Sequence, residues 1–230
     1  MKSPFAQASS RERKIKLFLW GGWGVGKTTL ALQFPKPVLF DLDGGADLYG
    51  KKYSFDVIKS SNIVEIKNAI MWIAQNPRKY ETIVIDPITV YWESLQKFWS
   101  DTFLRRIKGA QNKHEFFDLQ PPQWNTIKQD MKGLFAKLNE LNMNIVVTAR
   151  ETTKYKEGSY MKKEGIRPDC EKTTPYQFDT VLRLYRENGK YMALAEKDRT
   201  QSLPDQPFVA DYNFIAEKFG LSKGEKNAEN

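Results

Sequence analysis

The stretch KIKLFLWGGWGVGKTTLALQF, residues 14–34, decides the fold of this chain. It opens with an apolar run at 15–20, continues into a glycine-rich segment at 21–26, and then carries good helix formers at 29–32. A short apolar run that ends in glycines is typical of a buried strand that leads into a tight loop. The stretch therefore predicts a strand, a loop and a helix in direct succession.

The glycine-rich segment has the spacing G-x-x-x-x-G-K-[ST], which is typical of a phosphate-binding loop. The predicted nucleotide contacts are its eight residues and the residue that follows them: Gly21, Gly22, Trp23, Gly24, Val25, Gly26, Lys27, Thr28 and Thr29. Glycines let backbone N–H groups turn inward around phosphate oxygens. Lys27 is expected to bridge the β- and γ-phosphates of ATP, and the Thr28 hydroxyl to bind Mg²⁺. The alternative is a glycine-rich turn without a ligand, and the strand–loop–helix context argues against it.

The amino-acid composition of the chain excludes several classes of protein. A chain of 230 residues with 40% apolar and 28% charged residues is typical of a globular protein with a real core. No run approaches 18 consecutive apolar residues, and residues 1–10 lack the apolar segment of a signal peptide, so we expect a cytoplasmic protein without a membrane partner. One cysteine and one histidine argue against a His/Cys metal site. The net charge of +8 is a weak indication of a polyanionic partner.

Apolar strands that alternate with amphipathic helices predict an α/β fold around a mainly parallel sheet. Further strands are expected at 38–41, 82–85 and 144–148, and helices at 63–74, at about 90–104 and after Pro121-Pro122. Two alternating segments flank Asn188-Gly189, which predicts a C-terminal antiparallel hairpin. Residues 152–176 are expected to be irregular. The expected organisation is a basic arm at 1–14, one ATPase domain at 15–218 and a frayed tail at 219–230.

Carboxylates end two of the predicted strands. The run at 83–86 fits a Walker B strand, which would place Asp86 where it orients Mg²⁺. Residue 87 is Pro, whereas ATPases of the broad AAA+ type usually keep their water-activating Glu at this position. Asp41 and Asp43, two residues apart at the end of the second strand, are expected on one face. The water-activating carboxylate is expected in that pair.

These motifs together resemble the RecA-like recombinase core, over about residues 15–208. The resemblance implies that Asp43 occupies the position of the water-activating Glu, one methylene shorter, so hydrolysis is expected to be slow or water-bridged. The run at 144–150 resembles a strand that ends in a γ-phosphate sensor, with Arg150 at or near that position. Residues 152–176 fall where the family has its mobile DNA-binding loop. Lys197-Asp198-Arg199 is similar to a basic motif that reaches a neighbouring subunit's nucleotide.

The most similar members are the short phage-type RecA-like ATPases of single-strand annealing and recombination. The resemblance implies an ATP- and Mg²⁺-dependent ATPase that acts on single-stranded DNA and associates with itself as a filament or a ring. The expected catalytic residues are Lys27, Asp43, Asp86, Arg150, Lys197 and Arg199, and the expected metal-site residues are Thr28 and Asp86. Two alternatives stay open: a small-molecule kinase, and a nucleotide-dependent switch or assembly protein without a DNA role. Gly22 argues against the partitioning type of switch, which has a lysine there.

Overall fold

The computed structural model describes residues 14–105, 119–156, 158 and 162–221. Its strands are β1 Lys16–Gly21, β2 Pro37–Asp41, β3 Asp56–Lys59, β4 Thr82–Asp86, β5 Asn144–Tyr155, β6 Lys163–Pro168, β7 Thr180–Glu187, β8 Lys190–Asp198 and β9 Phe208–Val209. Its helices are α1 Lys27–Ala31, α2 Ile63–Gln75, α3 Ile88–Arg105, α4 Pro121–Glu140 and α5 Tyr212–Phe219. Of the predicted arm only residue 14, and of the predicted tail only residues 219–221, belong to this part.

The strands form one twisted sheet in the order β3-β2-β4-β5-β1-β7-β8-β9. Strands β3, β2, β4, β5, β1 and β7 are parallel to their neighbours, whereas β8 and β9 add antiparallel strands at one edge. The predicted α/β fold with a C-terminal hairpin is therefore confirmed. The hairpin turns at Asn188 and Gly189, whose φ angles of 50° and 76° are those that the tight two-residue turn requires.

Helices cover both faces of the sheet, and the two faces of β1 show why. Phe18 and Trp20 pack toward α2, α3 and α4, whereas Leu17 and Leu19 pack toward α1 and α5. Side chains alternate across a strand, so a strand that is buried on both faces needs a continuous apolar run. The apolar runs at 15–20, 83–85 and 145–147 meet this requirement, and each forms a central strand.

The segment 152–176 differs from its expectation. Strand β5 continues past the parallel sheet to Tyr155 and pairs with β6 as an antiparallel ribbon, in a register that aligns Glu151 with Pro168. The expectation of an irregular segment is therefore wrong for 152–155 and 163–168. The ribbon side chains are mostly exposed on both faces, so the sequence shows no apolar alternation there. The short elements β3, β9 and α5 were not predicted either, although Tyr212, Ile215 and Ala216 of α5 have the spacing of a buried helix face.

Within the described ranges, no helix combines the length and the apolar character that crossing a membrane requires.

Candidate functional site

The carboxyl ends of four parallel strands meet at one edge of the sheet. Register pairs Asp41 of β2 with Asp86 of β4, and Gly21 of β1 with Arg150 of β5. Ligands of open α/β sheets bind at this edge because loops of neighbouring strands converge there. The topology thus gathers residues that are more than a hundred positions apart in the sequence.

Backbone geometry requires glycine at the end of β1 and at the end of the loop that follows it. Gly26 precedes α1 with a φ of 88°, a left-handed conformation that glycine adopts without strain. At Gly21, a Cβ atom would lie 2.1 Å from the carbonyl oxygen of Leu184 in β7. Because a side chain at this position would collide with the neighbouring strand, only glycine lets the loop leave the sheet along this path.

Lys27 folds back over the loop. Its Nζ donates to the carbonyl oxygens of Gly21, at 2.9 Å, and Gly22, at 2.5 Å. Burial lowers the pKa of Lys27, and the negative charges of Asp86 and Glu151 oppose that fall. The ammonium group therefore lies in a poorly solvated position at the centre of the loop, as expected for a group that neutralises phosphate oxygens.

Asp86 receives two hydroxyl hydrogen bonds. Thr28 Oγ1 donates to its Oδ2 at 2.5 Å, and the Thr148 hydroxyl donates to its Oδ1. Burial raises the pKa of Asp86, and these two hydrogen bonds oppose the rise. The predicted partners Thr28 and Asp86 are thus brought together. Thr148 was not predicted, and its signal in the sequence is a hydroxyl residue within an otherwise apolar strand.

The Thr28–Asp86 pair fits Mg²⁺. Both residues offer oxygen atoms, which Mg²⁺ prefers, and the ion is usually bound through one or two protein groups together with phosphates and water. Among the residues that the structure describes, no cluster of three or more His, Cys, Asp or Glu side chains could hold a metal. An ion that is bound together with a nucleotide would fit this site, with Thr28 as its ligand and Asp86 beside it.

Asp41 and Asp43 have separate surroundings, although they were expected on one strand face. Strand β2 ends at Asp41, whose buried carboxylate accepts the backbone N–H groups of Gly44, Gly45 and Ala46 at 2.9 to 3.1 Å. It holds the loop after β2 in place. Asp43 instead forms an ion pair with Arg150 at 3.0 Å, so the structure joins two residues that were predicted separately. Water activation by Asp43 stays a prediction.

A cleft of about 510 Å³ lies between these groups. Its lining includes Lys27, Thr28, Asp43, Asp86 and Arg150, together with Glu151, which sequence reasoning missed. A second cavity of about 440 Å³ on the other side of the loop is lined by the predicted residues Gly24, Val25, Gly26 and Thr29 and by Gln33, Lys52 and Tyr191. The two cavities share Lys27, Thr28 and Tyr49, so one elongated ligand could occupy both.

Lys197 and Arg199 are not among the described residues that line the cleft. Lys197 Nζ donates to the carbonyl oxygen of Tyr176, at 3.2 Å, and to that of Phe178, which fixes the turn before β7. Burial lowers the pKa of Lys197. Arg199 forms an ion pair with Asp179 at 3.4 Å. Their predicted contact with a nucleotide needs a neighbouring subunit and stays a prediction.

A third feature is a groove of about 1070 Å³ between the β5–β6 ribbon and the turn at Tyr176. Its basic lining residues are Lys154, Lys156, Arg167, Lys172 and Lys197, and its acidic ones are Glu164, Glu171 and Glu196. Two tyrosines in it are exposed, Tyr155 by 45% and Tyr176 by 74%. The groove occupies the segment for which the resemblance implied a DNA-binding loop.

Comparisons with known proteins identify the family of the chain. The family model described as an AAA domain matches residues 13–202. None of the curated proteins matches the chain significantly. A solved KaiC-like protein from the archaeon Pyrococcus horikoshii is 17% identical, with a TM-score of 0.49, over 85% of this chain and 84% of that chain. The RadB recombinase is also 17% identical, with a TM-score of 0.47, over 80% of this chain and 81% of its own.

Proposed function

Since the chain belongs to the AAA domain family, we propose that it binds ATP together with Mg²⁺, hydrolyses it, and couples hydrolysis to single-stranded DNA. The observation that carries the proposal is the convergence of Lys27, Thr28 and Asp86 at the mouth of a glycine loop. In such sites catalysis consists mainly of positioning the phosphates and stabilising their charge.

Each group of the cleft has a place on the triphosphate. Lys27 exchanges its bonds to two loop carbonyls for the β- and γ-phosphate oxygens. Thr28 and Asp86 would hold and orient Mg²⁺. Arg150, exposed by 48% in its ion pair with Asp43, faces the γ-phosphate end and stabilises its charge.

The rest of the nucleotide extends into the second cavity. The Tyr191 ring lies beside the loop, with its Cδ1 atom 3.5 Å from the position that a Cβ of Gly26 would occupy. The Arg186 guanidinium lies over the ring, 5.0 Å from its centroid, and the ring is still 45% exposed, so the remaining surface is available to an aromatic base. This arrangement supports a nucleoside triphosphate as the ligand of both cavities.

Single-stranded DNA is the proposed occupant of the ribbon groove. Proteins that bind single strands combine lysines and arginines along the phosphates with aromatic rings on which bases stack. Tyr155, Tyr176 and the basic residues of the groove supply both elements. A role in recombination or annealing, as in the phage-type RecA-like ATPases, and self-association into a filament or ring are parts of the same proposal.

The test measures phosphate release with and without single-stranded DNA. We expect magnesium-dependent ATP hydrolysis that DNA stimulates, without a phosphorylated acceptor. Tyr176→Ala should weaken single-strand binding roughly fivefold to a hundredfold, because a stacked base contributes about 1–3 kcal/mol. Trp72→Ala, which removes another exposed aromatic residue on α2, is the matched control and should leave DNA affinity unchanged. A phosphorylated small molecule as product would instead identify a kinase.

A further inference from the structure

Glu151 follows Arg150 in β5 and lies against the phosphate-binding loop. Its Oε1 atom is 3.3 Å from the position that a Cβ of Gly22 would occupy, and its carboxylate lines the cleft. Gly22 is also one of the two residues whose carbonyl oxygens bind Lys27. The carboxylate of Glu151 is therefore close to the place where the γ-phosphate binds.

The other carboxylates of the cleft are engaged. Asp41 is held by three backbone N–H groups, and Asp86 accepts the hydroxyls of Thr28 and Thr148. Asp43 is paired with Arg150. Within the part of the chain that the structure describes, the carboxylate of Glu151 makes no hydrogen bond and no ion pair, and it acts on Lys27 only through its charge, so its oxygens are available to a water molecule.

Hydrogen bonds hold the backbone immediately before Glu151. The N–H of Arg150 donates to Thr89 Oγ1 at 3.0 Å, and the Thr89 hydroxyl donates in turn to the carbonyl oxygen of Asp169 at 2.7 Å. The N–H of Asp169 donates back to the carbonyl oxygen of Arg150 at 2.7 Å. This closed set of bonds anchors the base of the ribbon, so the backbone that leads into Glu151 has a fixed position.

A carboxylate beside a phosphate-binding loop weakens the binding of a triphosphate. It repels the negative charges of a triphosphate, so binding alone would favour a neutral or basic residue at this position. Hydrolysis, in contrast, is favoured by a carboxylate near the γ-phosphate. The carboxylate can accept a proton from the attacking water molecule, because a general base must lie within hydrogen-bond reach of the proton that it takes. The position of Glu151 is thus unfavourable for binding and suited to hydrolysis.

We propose that Glu151 is a further catalytic residue, the base that activates the attacking water; this rests on the proposed ATP hydrolysis. The water oxygen forms a bond to the γ-phosphorus as the bond from that phosphorus to the β,γ-bridging oxygen breaks. ADP leaves with the electron pair, and Glu151 accepts one water proton, which it later releases to solvent. Asp43 then acts as a positioning residue that holds Arg150, which differs from its role in the sequence prediction.

The experiment compares Glu151→Gln, Glu151→Asp and Asp43→Asn, with Glu140→Gln at an exposed site on α4 as the control. It measures single-turnover hydrolysis and the affinity for a non-hydrolysable ATP analogue. We expect Glu151→Gln to bind the analogue at least as tightly as the wild type and to hydrolyse ATP roughly 100-fold more slowly or worse. Glu151→Asp should retain an intermediate rate, and Asp43→Asn should lose less than Glu151→Gln.

Two outcomes would overturn the inference alone. One is wild-type hydrolysis by Glu151→Gln while the unmodified protein is active. The other is a larger loss in Asp43→Asn than in Glu151→Gln, which would return water activation to Asp43. A wild-type protein that binds ATP and never hydrolyses it would overturn the proposed function itself, and the inference with it. The analogue affinities show in each case that the variant still folds and binds.

Discussion

The side chains of the cleft already have partners that a nucleotide can replace. Lys27 is bound by two loop carbonyls, Thr28 by Asp86, and Arg150 by Asp43. In each contact, a group that could bind phosphate or Mg²⁺ is paired with a nearby polar group of the protein instead. Binding therefore exchanges one set of partners for another, and the side chains need little new ordering.

Lys27→Ala tests the residue at the centre of this exchange. The variant should lose detectable hydrolysis, and its ATP affinity should fall about tenfold or more, because a charge-assisted hydrogen bond contributes about 1.5–3 kcal/mol. Equilibrium titration and phosphate release measure the two effects. Lys137→Ala on the exposed side of α4 is the control. Unchanged affinity and turnover in folded Lys27→Ala would contradict the assignment of the loop.

Cys170 offers a second test at the residue scale. Burial raises the pKa of its thiol to about 12, so at pH 8 the thiol stays protonated, and it is only 6% exposed. Since the thiolate is the reactive form, alkylation of the native protein should be roughly a thousandfold slower than in urea. Mass spectrometry after timed iodoacetamide treatment measures both rates. Equal rates would show that the segment after β6 opens readily.

Among the elements, the helix layer over one face of the sheet has a polar connection. Asp130 of α4 accepts Lys67 Nζ of α2 at 2.6 and 2.8 Å, and Trp99 Nε1 of α3 at 2.8 Å. Apolar packing between helices tolerates small shifts, whereas a carboxylate with two directed donors does not. One side chain therefore fixes the relative positions of α2, α3 and α4.

Asp130→Ala should destabilise this layer. The change leaves an ammonium group and an indole N–H without their shared acceptor, so the free energy of unfolding should fall by about 2–3 kcal/mol. Urea denaturation measures the difference. Lys59→Ala, which breaks an exposed ion pair with Asp47, is the control and should cost less than about 1 kcal/mol. A loss in Asp130→Ala no larger than the control's would show that apolar packing alone sets the layer.

Strand β5 connects the two proposed binding regions. Its middle carries Arg150 and Glu151 into the cleft, and its end carries Lys154 and Tyr155 into the groove. A change at the γ-phosphate that moves Arg150 therefore acts on the ribbon through one continuous backbone. This continuity is the physical basis of the proposed stimulation of hydrolysis by DNA.

At the scale of the whole molecule, the basic motif at 197–199 does not line the cleft: Lys197 lines the groove, and Arg199 pairs with Asp179. If this motif acts on a nucleotide, that nucleotide belongs to a second copy of the chain. Arg199 is the cleaner residue to test, because its ion pair is exposed, whereas Lys197 also holds the turn that carries Tyr176. In that case full catalytic activity requires self-association.

Arg199→Ala should bind ATP normally and lose most of its DNA-stimulated turnover, because the arginine no longer reaches the neighbour's γ-phosphate. Mixing it with Lys27→Ala should restore part of the activity, since some interfaces then pair an intact loop with an intact arginine. Turnover of the mixture against each variant alone is the measurement. An inactive mixture, despite co-assembly seen by size-exclusion chromatography, would place Arg199 within its own subunit or outside catalysis.

The sequence by itself determined the features that depend on neighbouring residues. The strand, glycine loop and helix at 15–32 form one contiguous unit, and the apolar runs at 83–85 and 145–147 are typical of strands buried on both faces. The ribbon was missed because its two strands are exposed and lack apolar alternation. Local patterns report burial, so they identify the core and say little about a solvated ribbon.

Only the tertiary structure decided which carboxylates face the nucleotide. Asp41 and Asp43 look equivalent in the sequence, but β2 ends between them, and backbone N–H groups enclose the first while Arg150 pairs with the second. Glu151 follows Arg150 and was not predicted as a site residue, because its distance from Gly22 is set by the pairing of β1 with β5. Contacts between residues more than a hundred positions apart depend on strand order, and no local pattern in the chain encodes that order.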